Sequence, residues 1–134
     1  MYLVDTNVWL ERLLGQAKSD DVRDFLDRIP SNELYLTDFA FHSICVVLAR
    51  LKREKVLLDF VQDVFVDGAV MLASVLPEEI QSLIDVMHRF NLDFDDAYQY
   101  TAAEKYDLVI VSFDGDFNRT SRGKKTPEEI LASI

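Results

Sequence analysis

The sequence predicts an α/β protein, a three-layer α/β/α sandwich on a central parallel sheet. Three observations predict it. Short β-branched runs alternate with longer segments of helical periodicity, the order that right-handed crossovers turn into a parallel sheet. The run Leu108–Phe113 is continuously apolar, as a strand covered on both faces would be. Acids then follow the strand-like segments: Asp5 after Tyr2-Leu3-Val4, and Asp114 and Asp116 after Leu108–Phe113. In open α/β sheets, ligands bind in the crevice outside the carboxyl ends of the strands.

The elements follow in order. Tyr2-Leu3-Val4 is the first strand, and Val8, Leu10, Leu13 and Leu14 continue as a helical face. Ser19 is the expected N-cap of the next helix, with Asp20 and Asp21 at the positive end of its dipole. Val22, Phe25, Leu26 and Ile29 form its apolar stripe at i, i+3, i+4, i+7, and Pro30 closes it. Leu34-Tyr35-Leu36 is a strand, and Thr37 caps a helix carrying Phe41, Ile44, Cys45, Leu48 and Leu51. Leu57–Phe65 is a further helix, and Ala69–Leu72 a third strand. Pro77-Glu78-Glu79 opens a helix with Ile80, Leu83, Ile84 and Met87. Asp95 and Asp96 open the last long helix, which runs to about Tyr106 before the strand at Leu108–Phe113. Thr126-Pro127-Glu128-Glu129 opens a short final helix.

At 134 residues, 49% hydrophobic and 28% charged, the chain reads as one soluble globular domain over 1–134. No secretory signal is expected, because no basic region leads the first apolar run and Asp5 interrupts it. No apolar stretch approaches the ~18 residues of a membrane span. Cys45 is alone in an apolar helical stretch and reads as core. A cytoplasmic location is the default. The net charge of −10 argues against nonspecific nucleic-acid binding by the whole surface. A local basic patch or a bound cation can still reverse the field at one site.

Carboxylates gathered at one sheet edge repel each other unless a cation lies among them, and hard cations such as Mg²⁺ or Mn²⁺ take oxygen ligands. An acidic metal site on a parallel sheet is therefore expected. Each acid also has a competing local role. Asp5 could cap the helix beginning near Val8, Asp96 or Asp95 could favour a helix dipole, and Asp114 and Asp116 could shape an Asp-Gly turn. Convergence of three separated acidic loops favours the shared site.

Leu3-Val4-Asp5-Thr6-Asn7, Leu92-Asp93-Phe94-Asp95-Asp96-Ala97 with Ala102-Ala103, and Leu108–Phe113 running into Asp114-Gly115-Asp116-Phe117 stand in a recognisable order. Over nearly its whole length the chain resembles the PIN-domain nucleases, most closely toxins of the VapC type. The resemblance implies metal-dependent cleavage of RNA phosphodiester bonds, leaving a 5′-phosphate and a 3′-hydroxyl. It implies Asp5, Asp96, Asp114 and Asp116 as an acidic quartet around Mg²⁺ or Mn²⁺, with Asp5, Asp96 and Asp114 as metal ligands. Thr6 and Asn7 would hold Asp5 in place. It also implies a small antitoxin partner and a homodimer. The Leu57–Phe65 helix, with Phe60, Val61 and Phe65 apolar, is a candidate contact surface.

The chain departs from the family at one position. Where members usually carry a Glu, this sequence has Ser43, with His42 beside it and Asp38 one turn earlier. His42 could bind the metal or a phosphate, Asp38 could supply the oxygen ligand, or the site is weakened. The basic run Arg119, Arg122, Lys124, Lys125 follows the last acids and could hold RNA phosphates, or form a solvated loop. The rival function is a PIN-like module that acts by binding protein or RNA. A haloacid-dehalogenase phosphatase needs an Asp where Asn7 stands, and a receiver domain needs an acidic pair at the first strand; both fit poorly.

Overall fold

A computed structural model describes residues 1–134. Four parallel strands form one sheet in the order β3-β2-β1-β4: β1 Tyr2–Val4, β2 Leu34–Thr37, β3 Met71–Ala73 and β4 Val109–Val111. Seven helices connect and cover them: α1 Thr6–Leu13, α2 Ser19–Arg28, α3 Asp38–Arg50, α4 Glu54–Val61, α5 Ile80–Phe90, α6 Phe94–Tyr106 and α7 Pro127–Ser133. The sandwich predicted from the alternation is the fold observed. No helix is long and apolar enough to cross a membrane.

The two-residue period of the strands splits the core into two layers. Val4, Leu34, Leu36 and Val111 face a core with Trp9, Phe25, Ile44, Leu48, Phe60 and Ile130, contributed by α1, α2, α3, α4 and α7. Leu3, Ala73 and Ile110 point the other way, onto Leu83 and Val86 of α5 and Ala97, Tyr100, Ala102 and Ala103 of α6. The small Ala102-Ala103 pair lets α6 lie close against the sheet, which brings its first turn to the strand ends.

Local readings need correction in four places. Ser19 is the first residue of α2 and not its cap; its hydroxyl accepts from Arg12 Nη1 at 3.1 Å, and the preceding Lys18 N–H donates to Glu11 Oε2 at 2.7 Å. The third strand is Met71–Ala73, two residues beyond the expected start. Val109 of β4 is partly open to solvent, whereas Ile110 and Val111 are buried. Lys125 pairs along this edge, its N–H donating to Ile110 O (2.9 Å) while its carbonyl accepts from Ser112 N (3.0 Å). Finally, Phe60 is only 4% exposed and packs edge-on against Trp9 and Phe65, so this residue of the expected contact surface is core, while Leu58 of α4 stands exposed.

The connectivity places a switch point at β1. The chain leaves β1 towards β2 and β3 on one side, and returns to β4 on the other. Loops after β1 and β4 therefore diverge and leave a crevice at the carboxyl edge, the position where ligands bind in such sheets.

Candidate active site

Asp5 is the centre of the crevice. The β1–β4 ladder extends through it, its N–H donating to Val111 O at 2.9 Å, so its backbone is fixed by the sheet. The residue is 8% exposed, and both carboxylate oxygens are held: Oδ1 accepts from Thr6 N (2.7 Å) and Gln99 Nε2 (2.8 Å), Oδ2 from Ser112 Oγ (2.7 Å). None of these donors carries a charge. Burial pushes the carboxyl above its ordinary range, and the nearby Asp114 adds to this; the three hydrogen bonds pull the other way. Asp5 also caps α1 through the Thr6 contact, so its capping and site roles coexist.

Asp96 stands in the first turn of α6. The cap there is Asp93, whose Oδ1 accepts from Asp96 N at 2.9 Å, which leaves the Asp96 carboxylate free of capping duty. Burial raises the Asp96 carboxyl to about 7, with further contributions from Asp114, Asp93 and Asp5. Asp114 follows β4; its N–H donates to Ser112 Oγ (2.9 Å) and its Oδ1 accepts from Asp116 N (2.8 Å). Carboxylate oxygens of Asp96, Asp114 and Asp116 lie within 4.8 Å of one another. That is an all-oxygen donor set of the kind Mg²⁺ and Mn²⁺ take, and a cation among them would offset the repulsion that adds to burial in raising Asp96. Asp5, Asp96 and Asp114 together line a cleft of about 290 Å³ with Thr6, Asn7, Ser43, Asp95 and Gln99. Asp116 is outside that lining and pairs with Arg119 Nη1 at 3.2 Å.

The other expected residues are placed as follows. Thr6 reaches Asp5 through its backbone N–H, and Asn7 acts one step away. Its Nδ2 donates to Ser112 Oγ (3.4 Å), and its Oδ1 accepts from Phe113 N (3.3 Å). Ser43 lines the cleft, its hydroxyl donating to Phe39 O at 3.1 Å. His42 is exposed and lies outside the lining. Asp38 also lies outside it, accepting from Tyr98 Oη (2.7 Å) and Ser74 Oγ (3.0 Å). Arg119 is spent on the end of α5, donating to Phe90 O (3.2 Å) and Asn91 O (2.7 Å). Arg122 pairs with Asp107 at 2.6 Å, and with Lys124 and Lys125 it lines a second cleft beside Leu108 and Val109. That cleft is at the start of β4, roughly 10 Å from the acids along the strand.

Two residues that touch Asp5 were not singled out in the sequence: Ser112 and Gln99. Ser112 directly precedes Phe113-Asp114, a position that could have drawn notice. Gln99 follows Asp96 by three residues, which puts both on one face of α6. It is the polar residue within an otherwise apolar or aromatic run, Ala97-Tyr98-Gln99-Tyr100.

Comparison with known proteins gives the family and the fold. The PIN domain family model covers residues 2–123, and the chain belongs to that family, the nucleases its sequence resembles. Solved structures share its fold. A toxin–antitoxin complex from Klebsiella pneumoniae superposes with a TM-score of 0.75 at 15% identity, covering 95% of this chain and 98% of that one. VapC20 of Mycobacterium tuberculosis, a sarcin–ricin-loop-cleaving toxin, gives 0.76 at 16%, covering 91% and 96%. FitAcB from Neisseria gonorrhoeae gives 0.74 at 21%, covering 96% and 99%. No curated protein sequence matches significantly.

Proposed function

We propose that this chain is a Mg²⁺- or Mn²⁺-dependent endoribonuclease and the toxin of a toxin–antitoxin pair. The observation that carries the reading is the convergence of Asp5, Asp96 and Asp114, from three different elements, on one cleft at the switch point of the sheet. Asp5, Asp96 and Asp114 would hold the cation from the walls of this cleft, and Asp116 brings a carboxylate oxygen within 4.8 Å of those of Asp96 and Asp114. A bound dication supplies a nucleophile near neutral pH and offsets charge developing on the phosphate. The chain's own part is to bind and orient. The sheet and three neutral donors fix Asp5, Asp93 fixes the first turn of α6, and Ser112 ties the Asp114 loop to Asp5. Lys124 and Lys125 would take phosphates of the RNA strand beyond the cut.

An antitoxin has a suitable landing place. A cleft of about 470 Å³ between α1, α2 and α4 is lined by Leu13, Leu26 and Val56 over the buried Trp9 and Phe60, with Asp27, Asp59 and Asp63 outnumbering Arg12 in its wall. This composition fits a basic amphipathic helix. The similarity in fold to a toxin–antitoxin complex supports an antitoxin partner.

The deciding experiment incubates a structured RNA pool with the protein and Mn²⁺ or Mg²⁺, beside Asp5→Asn and Asp96→Asn. Metal-dependent cuts with 5′-phosphate ends, lost in both variants, are expected. Ser43 in the cleft, where the family usually carries Glu, favours a second reading, a module that binds RNA or protein and cuts weakly or not at all. Folded wild-type protein that binds Mn²⁺ without cutting any RNA would establish that reading instead.

A further inference from the structure

We propose that Gln99 is a positioning residue of the acidic cleft, holding Asp5 and α6 in fixed relation so that the carboxylates are arranged before a cation arrives. The inference rests on the metal-site reading above. Gln99 is 4% exposed and its Nε2 donates to Asp5 Oδ1 at 2.8 Å, while it lies one turn beyond Asp96 on the same helix face. It thus connects the element bearing Asp96 directly to the strand bearing Asp5. Ser112 makes the matching connection on the other side, from the loop bearing Asp114 to Asp5 Oδ2 at 2.7 Å. Such ties hold the carboxylates in place against their mutual repulsion.

Two features argue against a merely structural glutamine. Its Oε1 is buried without any hydrogen-bond partner. An unpaired buried acceptor opposes folding, and an apolar side chain of equal length would avoid that cost. The useful part of the side chain is therefore its N–H. The amide is also neutral. A Lys or Arg in its place would hold Asp5 more strongly but would cancel the charge a cation needs, whereas an amide orients the carboxylate and leaves its charge intact.

The test compares wild type with Gln99→Met, which keeps length and loses the donor, and Gln99→His, which restores an N–H at similar reach. Mn²⁺ affinity is measured by calorimetry, melting is followed in chelator, and kcat and KM are measured on RNA. Gln99→Met should fold in chelator, bind Mn²⁺ about 10- to 100-fold more weakly, and lose kcat with KM unchanged. Gln99→His should recover most of the affinity. Should Gln99→Met fail to fold, Gln99→Asn, one methylene too short, takes its place with the same expected loss. Undiminished Mn²⁺ affinity in the folded variant overturns the inference alone, as does a folded Gln99→His that recovers nothing. Wild-type protein that binds no Mn²⁺ overturns the metal reading and this inference with it.

Discussion

At the scale of single residues, the cleft carries a cost that its function explains. Burial lifts both the Asp5 and the Asp96 carboxyls above their ordinary range, and at Asp96 the neighbouring Asp114, Asp93 and Asp5 add to it, so that Asp96 titrates near 7. The unfolded chain releases the Asp96 proton near 3.8, the folded chain near 7. Between those values the fold binds the extra proton, so its contribution to stability is complete below the lower value and is lost as pH climbs to the upper. Melting temperature in chelator should therefore fall between about pH 4 and pH 7, and Asp96→Asn should flatten that fall. A slope unchanged in Asp96→Asn would mean that the acids elsewhere on this −10 chain dominate. Asp5→Asn removes a buried charge; its amide oxygen can still accept from Thr6 and Gln99, and its amide nitrogen would donate to Ser112 Oγ instead of accepting from it. It should raise the melting temperature in chelator and abolish Mn²⁺ binding, which calorimetry would check.

At the scale of elements, each acid is delivered by the start of a helix or helical turn whose own backbone needs are met by a neighbouring side chain. Asp93 caps α6 so that Asp96 is free, and Thr37 Oγ1 caps α3 by accepting from Ala40 N at 2.9 Å, placing Ser43 one turn on in the cleft. Thr37→Ala should cost about 1 kcal/mol in urea unfolding, the ordinary worth of such a cap. The sheet beneath these caps depends on packing from both sides. Phe25 of α2 is fully buried against Tyr2 at 6.0 Å between ring centres, and Phe25→Ala should cost about 3–5 kcal/mol. A loss below 1 kcal/mol would show that this layer collapses to fill the gap.

At the scale of the whole molecule, an acidic protein proposed to act on a polyanion needs localised attraction. The cation between the carboxylates would provide one part and Lys124 with Lys125 another. Replacing both lysines with Ala should raise KM for RNA and flatten the salt dependence of binding by about 0.7 in log–log slope per lysine. Mn²⁺ affinity should stay the same, since these residues line a different cleft from the acids. An unchanged salt slope would assign the two lysines to the loop beside β4 alone. The cation should also stabilise the fold as any ligand of the native state does, by about 2.7 kcal/mol at a concentration 100 times its dissociation constant.

Much of this was legible in the chain because it depends on short-range pattern. Alternation of apolar runs with helical stripes dictates a parallel α/β sheet, and a carboxylate directly after a strand is carried to the sheet's edge by the backbone itself. Asp5 and Asp114 could be picked out for that reason, Asp96 for its place in the first turn of a helix, and Thr37 as a cap. Residues whose roles depend on side-chain reach across the fold could not. Ser19 has the residue type of a cap, but Arg12 claims its hydroxyl; Phe60 could sit on either side of its helix until Trp9 and Phe65 enclosed it. Arg119 and Arg122 looked available for phosphate, but the ends of α5 and α6 bring Asn91 and Asp107 to them. By itself, the sequence determined the fold class, the family resemblance and which acids to watch, since each is written in local order and spacing. Only the tertiary structure decided that Gln99 and Ser112, 94 and 107 residues from Asp5, hold its carboxylate. A hydrogen bond across that separation exists only once the sheet and α6 have packed.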